Sequence, residues 1–357
     1  METLYCGVDL HYGTSTFRFL EENGKTRQAI EIRTDKEAIG KLLGNYRDYK
    51  IAYAFEAGNM AYYFHRLIYN RENTAKIHVV NPYKFKVITE SKHKNDKEDS
   101  LNLAKGLLKD YLPRPVHIKS EVCRQLKLLL NLRRRMIGTR TKIILQVKSI
   151  LRSLGVKASQ QSLTGKRGFE RVIRSLGDEP FHKMTIEALA AECLGENTKI
   201  NQIEDQIEEL IERDFKQEYE WLDSIPGISF VTAATILSIV DDVDRFEKAG
   251  QFSSYCGLIP SERSSGEKVV RGRITKEGIK ELRGLFIQSA WTVIRWKKPD
   301  ERVSRLRKKY YRISFKQKNS QKAVTAIARH LSRIVFGVLK NKTCYCGNIV
   351  DKAKACN

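Results

Sequence analysis

Four carboxylates in the first hundred residues, Asp9, Glu56, Asp96 and Asp99, stand where acids do chemistry rather than decorate a surface. Asp9 interrupts the apolar run Leu4-Tyr5-Cys6-Gly7-Val8-Asp9-Leu10, and Glu56 ends Ile51-Ala52-Tyr53-Ala54-Phe55-Glu56. A carboxylate inside a hydrophobic strand is expensive to bury alone, so its presence implies a compensating cation. Asp96 and Asp99 lie three apart at the head of the periodic stretch Leu101, Leu103, Ala104, Leu107 and Leu108, on one helical face. Glu98 falls off that face. An oxygen-only donor set without His or Cys suits Mg²⁺, with Mn²⁺ as a substitute. Two such ions ~4 Å apart around one phosphate oxygen would serve phosphodiester cleavage.

A second constellation lies near the C-terminus. Tyr255-Cys256-Gly257-Leu258-Ile259-Pro260-Ser261-Glu262-Arg263-Ser264-Ser265-Gly266 precedes Lys268, Arg271, Gly272, Arg273 and Lys276. Gly257, Pro260 and Gly266 mark a structured loop rather than a helix. A serine hydroxyl attacks a phosphodiester if its proton is removed and cations stabilise the transition state. Taken alone, Ser-Ser-Gly fits an ordinary loop as well.

The elements that must position these groups follow from periodicity. Strands are expected at 4–10, 15–20, 27–33, 50–56 and 76–80, and helices at 36–46, 59–71, 82–89 and 98–111. Glu21-Glu22-Asn23-Gly24 reads as a hairpin turn. The first three strands have no helix between them, whereas later ones alternate with helices, as in a mixed sheet covered on both faces. Pro113 and Pro115 close this unit. Residues 119–157 read as one long helix with the stripe Leu126, Leu130, Ile137, Ile144, Leu145, Ile150 and Leu151. Eleven Lys/Arg face one acid, Glu121, in that stretch, which favours a phosphate-tracking surface at Arg133, Arg134, Arg135, Arg140, Lys142 and Lys148.

Residues 158–196, broken by Gly165, Gly168, Gly177 and Pro180, give no clear element. Ile200, Ile203, Ile207 and Leu210 follow a 3-4-3 spacing. That is either a short coiled-coil seam, giving a dimerising arm with the basic helix, or an amphipathic helix packed within its own chain. Leu222-Asp223-Ser224-Ile225-Pro226-Gly227-Ile228 before Val231-Thr232-Ala233-Ala234 reads as a helix-hairpin-helix, whose turn offers backbone N–H groups to a phosphate, or as a plain Pro-Gly connection. Helices are expected at 276–296 and 320–340. Between them Arg295–Lys318, with Tyr310 and Tyr311, suits backbone neutralisation and base stacking, or is a basic solvent-facing loop.

Composition narrows the partners. The chain has 357 residues, 41% of them hydrophobic, and a net charge of +23, which calls for a polyanion. No apolar stretch spans a bilayer, and Glu2 and Asp9 interrupt any signal-peptide pattern, so cytoplasmic nucleic acid is expected and a membrane is not. Seven cysteines without a secretory signal are expected to be reduced thiols. Cys344, Cys346 and Cys356 have the wrong spacing for a zinc knuckle.

The ordered set Gly-Val-Asp9, Phe-Glu56-Ala, Asn-Asp96-Lys-Glu-Asp99, Ile-Pro-Gly-Ile, Tyr-x-Gly-Leu-x-Pro, Ser-Ser-Gly, Arg-Gly-Arg-Ile-Thr-Lys-x-Gly and the Ala326–Arg329 helix resembles the DEDD-type insertion-sequence transposases, the family that includes the Piv-type DNA invertases. The resemblance covers nearly the whole chain. It implies an α/β-plus-α protein: a RuvC-like, ribonuclease H-type domain at 1–118, a basic-helix and coiled-coil arm at 119–221, and a mostly helical transposase domain at 222–357. It implies that Asp9, Glu56, Asp96 and Asp99 bind Mg²⁺ and that a serine before glycine, Ser265 with Ser264 as fallback, forms a transient covalent link to DNA. It further implies donor and target DNA as partners, a structured guide RNA of the bridge or seeker type, and a homo-oligomer, dimer or tetramer, in which another protomer supplies the acids. Arg271, Arg273 and Lys276 fall in the block expected to contact nucleic acid. Two other readings stay open: a RuvC-like nuclease using water, and a non-catalytic nucleic-acid-binding protein, against which the four intact acids argue.

Overall fold

The computed structural model describes residues 1–86, 96–177, 179–265 and 268–347, in two compact units, Met1–Ile118 and Lys119–Asn357. The first unit runs β1 (Thr3–Leu10), β2 (Thr14–Leu20), β3 (Thr26–Arg33), α1 (Lys36–Gly44), β4 (Lys50–Glu56), α2 (Ala61–Ile68), β5 (Thr74–Val80), α3 (Pro82–Lys86) and α4 (Asp96–Leu108). Its sheet has the order β3-β2-β1-β4-β5, with β1, β2 and β3 antiparallel and β1, β4 and β5 parallel. This is the mixed sheet of a ribonuclease H-type domain.

The β2–β3 turn forms where expected. Gly24, at φ +82°, donates its N–H to the Glu21 carbonyl at 2.9 Å, and Lys25 N–H donates to Asn23 Oδ1 at 2.7 Å. Alternation then sorts the sheet's faces. Leu4, Cys6 and Val8 of β1 and Ile51, Tyr53 and Phe55 of β4 bury against Ile39, Leu42 and Leu43 of α1 and Phe64 and Ile68 of α2. Ala52 and Ala54 share the opposite face with Val80, Leu103 and Leu107, under α4. That helix begins two residues earlier than expected, and the end of the helix expected at 82–89 lies outside the described residues.

The second unit runs α5 (Glu121–Ser153), a 3₁₀ turn (Ser162–Thr164), α6 (Lys166–Arg174), α7 (Pro180–Asp214), α8 (Lys216–Asp223), α9 (Phe230–Val240), α10 (Ala249–Tyr255), β6 (Pro260–Ser265), β7 (Lys268–Ile274), α11 (Lys280–Arg295), α12 (Glu301–Gln317) and α13 (Ser320–Asn341). Long helices α5 and α7 pair antiparallel. Ile200, Ile203, Ile207 and Leu210 are all buried in that pairing, with Ile203, Ile207 and Leu210 in one cluster with Leu126 and Leu130 of α5. The 3-4-3 seam is therefore filled within the chain. The same core continues through α9 to α13 without a break at 221, where the sequence suggested one.

Residues 158–196 are regular after all. Gly168 lies where a Cβ would sit 1.4 Å from the Ser162 carbonyl oxygen, so it marks a close approach of α6 to the 3₁₀ turn rather than a loop. Gly177, at φ +58°, ends that segment, and Pro180 opens α7 at a position where its missing N–H costs nothing. Leu163, Phe169, Val172 and Ile186 then close a distal core on Ile144, Val147 and Leu151. The basic stretch read as a possible loop is largely α12. Asp300 caps it, accepting from Arg302 N–H at 2.8 Å, and Val303, Leu306 and Tyr310 give it a buried stripe at 3-4 spacing.

Candidate functional site

The register of β1 and β4 brings two of the acids together. The strands pair in parallel with Val8 opposite Phe55, so Asp9 and Glu56 follow side by side at the same, C-terminal ends. Both alternate onto the face covered by α4, the face of Gly7 and Ala54. A Cβ on Gly7 would lie 2.0 Å from the Ser100 carbonyl oxygen and 2.5 Å from the Ala104 nitrogen. Only glycine lets α4 lie directly on β1, and this lays the first turns of α4, which carry Asp99, over the sheet face of Asp9 and Glu56. Asp96 opens α4; its side chain, and residues Lys92 and Lys94, lie outside the described ones.

Asp9 is nearly buried, with its side chain 17% exposed, and its Oδ2 sits 3.1 Å from His11 Nε2. His11 was missed in the sequence because it lies past the strand, in the β1–β2 turn held by His11 N–H donating to the Thr14 carbonyl at 3.2 Å. A carboxylate two residues away on a tight turn was the available signal. Among the described residues, no three of His, Cys, Asp and Glu gather closely enough to hold a metal by themselves. The donor chemistry on this face, carboxylate oxygens at strand ends and helix start, nonetheless fits a hard divalent cation.

In the second unit the serine-bearing segment is an antiparallel hairpin, β6–β7, in which Ser265 pairs with Lys268 and Ser264 with Val269. Arg271 pairs with Glu262 in the same ladder. At the hairpin's base Arg273 and Lys276 line a groove of about 1070 Å³ against the start of α13 and the side of α12. Lys309 falls in the basic stretch Arg295–Lys318 already expected to neutralise a backbone, whereas Arg333 comes from a separate helix that only the tertiary fold brings to the hairpin.

The cations expected along α5 divide into two groups. Arg133 Nε donates to Glu204 at 2.6 Å, Arg140 donates to Asn197 Oδ1 at 2.9 Å, and Arg134 joins Lys127 on Glu281. Burial opposes ionisation of Glu281, yet hydrogen bonds from Lys127 and Arg134 hold its carboxyl below the usual range. Arg135 and Lys142 are exposed, and Lys148 is half-buried. The helix-hairpin-helix element forms from α8 and α9 around Gly227, at φ +85°. A Cβ there would lie 2.8 Å from the Ser289 carbonyl oxygen, so the turn backs onto α11. Ser229 caps α9 by accepting from Thr232 N–H at 3.4 Å.

Comparison with known proteins agrees with this architecture. A profile described as Transposase matches residues 6–155, and one described as Transposase IS116/IS110/IS902 family matches residues 219–310. The transposase for insertion sequence element IS1111A of Coxiella burnetii is 26% identical over 275 residues, 75% of this chain and 73% of that protein. A probable family 20 transposase of Pseudomonas aeruginosa is 23% identical over 300 residues, 82% of this chain and 85% of that one. The pilin gene-inverting protein of Moraxella lacunata is 30% identical over 144 residues, 40% of this chain and 43% of that one. Among the described residues no helix is long and apolar enough to cross a membrane. With the acid-bearing sheet inside the first match and the hairpin inside the second, the chain belongs to the IS116/IS110/IS902 family of transposases, and its role is DNA cleavage and transposition.

Proposed function

We propose that this transposase cuts and rejoins DNA with a serine nucleophile, Ser265, assisted by a divalent cation on Asp9, Glu56, Asp96 and Asp99. The observation that carries the reading is the convergence of Asp9, Glu56 and the Asp99 segment on the α4 face of the sheet. When bound, Mg²⁺ would supply charge to stabilise the scissile phosphate. The Ser265 hydroxyl loses its proton as its oxygen attacks phosphorus and forms an O–P bond, and the bond to a deoxyribose oxygen breaks, that oxygen taking a proton in turn; no redox change is involved. His11, at hydrogen-bond distance from Asp9, orients that carboxylate. Arg271, Arg273 and Lys276 steady the anionic phosphates, and the exposed Arg135 and Lys142 track backbone along α5. Donor and target DNA selected by a structured guide RNA, and an assembly in which protomers share acids and serine, complete the reading.

The test is a search for a covalent protein–DNA adduct. Full-length protein with its co-purified nucleic acid, Mg²⁺ and donor DNA is quenched in denaturant and peptide-mapped. A DNA remnant on Ser265 that vanishes in Ser265→Ala supports the serine reading, and one that persists there but vanishes in Ser264→Ala moves the nucleophile by one residue. Cleavage without any adduct would refute the serine reading in favour of a nuclease that uses water.

A further inference from the structure

The groove between the hairpin base and α13 gathers cations, with no carboxylate among its described lining residues. Its walls carry Arg273, Lys276, Lys309, Lys322, Arg329 and Arg333. Lys322, Arg329 and Arg333 recur at helical spacing along one side of α13, and Lys309 faces them from α12. This differs from α5, whose inward-facing cations are taken up by Glu204 and Glu281.

Lys309 is the informative member. It is half-buried, and its Nζ lies 3.2 Å from His330 Nδ1. Burial lowers its pKa, and Arg333, Arg312 and Arg329 lower it further. Burial, Lys309 and Arg333 together hold His330 down to about 4, so the imidazole is neutral at pH 7. Neutral His330 then accepts a hydrogen bond from the Lys309 ammonium at Nδ1 and carries its own hydrogen on Nε2. It aims the ammonium without neutralising it. A half-buried, unneutralised charge among guanidinium groups costs stability in the free protein, and an anion recovers that cost. The groove, about 1070 Å³, is at the upper end of the range of small-ligand pockets and lies open along the hairpin, which suits a chain of phosphates.

We propose that this groove seats the phosphodiester backbone of the DNA strand presented to the β6–β7 hairpin, with Lys309, aimed by His330, as its central phosphate-binding residue. The assignment to DNA rests on the serine reading of that hairpin. The phosphate seat itself does not.

The experiment measures anisotropy of a fluorescein-labelled DNA duplex with full-length protein across a salt series, beside thermal unfolding of the same samples. Lys309→Met keeps the stem's packing and removes the charge. It should weaken DNA binding by roughly three- to tenfold and reduce the slope of log K against log salt by about one. Its melting temperature should stay level or rise, because a strained charge has gone. Lys309→Arg should restore most of the binding. Anisotropy reads the phosphate seat and the adduct assay reads the covalent step, so failure of the covalent reading and failure of the seat give different results. A lower melting temperature with unchanged affinity and slope would make Lys309 structural and overturn the proposal. Lost binding to a labelled RNA with DNA binding intact would overturn it in favour of an RNA seat.

Discussion

Gly7→Ala tests whether α4 truly rests on the strand that carries Asp9. An ordinary carbon contact lies at roughly 3.5 Å or more, but the new Cβ would meet the Ser100 carbonyl oxygen at 2.0 Å and the Ala104 nitrogen at 2.5 Å. Both are backbone atoms, so no side-chain rotation relieves them, and α4 must back away by roughly 1–1.5 Å. Replacing a strand glycine ordinarily gains about 0.5–1 kcal/mol, while overpacking costs about 1–3 kcal/mol, so the clash wins. The displaced helix carries Asp99, and a misplacement of about 1 Å costs on the order of 10²-fold in rate, or ~2.7 kcal/mol of transition-state stabilisation. The assay pairs strand exchange on donor DNA with thermal unfolding, using Gly13→Ala, which would meet nothing within 4 Å, as the control. A Gly7→Ala protein with wild-type melting and wild-type exchange would refute the packing of α4 on β1.

Asp9→Asn and Asp99→Asn should fold and bind nucleic acid as the wild type does yet lose strand exchange; wild-type recombination by either one would remove it from the metal site. Gly138→Ala, on an exposed part of α5 with nothing within 4 Å of the new Cβ, should raise stability by about 0.5–1 kcal/mol in denaturant unfolding, and a loss would mean that position is not plain helix. Glu281→Gln leaves Lys127 and Arg134 with a neutral partner and should lower stability at pH 7 by about 1–2 kcal/mol, a figure already reduced for the site's partial exposure. Because the Glu281 carboxyl titrates below its unfolded value, its contribution is present above the ordinary carboxylate range and is lost as pH falls through the folded value. The gap between variant and wild type should therefore close in acid, and a gap that widens there would contradict the ion-pair account.

The N-terminal unit was legible because β1 and β4 stand out as apolar runs, and because Asp9 interrupts one and Glu56 ends the other. The pairing of β1 with β4 was not, since parallel neighbours are set by crossover helices and leave no local mark. His11 escaped for the same reason: its value comes from a turn that folds it back on Asp9. Residues 158–196 were opaque because Gly165, Gly168 and Gly177 look like loop punctuation, whereas Gly168 is there to let two backbones meet. In α12, the density of Lys and Arg, with Arg305, Lys308, Arg312 and Lys316 exposed, hid the stripe of Val303, Leu306 and Tyr310.

The net charge of +23 said that a polyanion is bound but not where, because a cation's worth for binding depends on what already neutralises it. Along α5 the densest basic run, Arg133-Arg134-Arg135, spends its first two members on Glu204 and Glu281, fastening α5 to α7 and α11. A phosphate approaching those two must first break contacts that hold the core together. Lys309, from the basic stretch Arg295–Lys318, and Arg329 and Arg333 lie apart in sequence, yet among the described residues none of them meets a carboxylate. The same residue types thus divide by their partners: α5 uses charge to build the scaffold, and the α12–α13 groove leaves it for a ligand. Neutralising Arg133 should therefore show first in unfolding, and neutralising Lys309 first in the salt dependence of DNA binding. If both mutations affected the same measurement alone, partner count would not be what separates structural from binding cations in this fold.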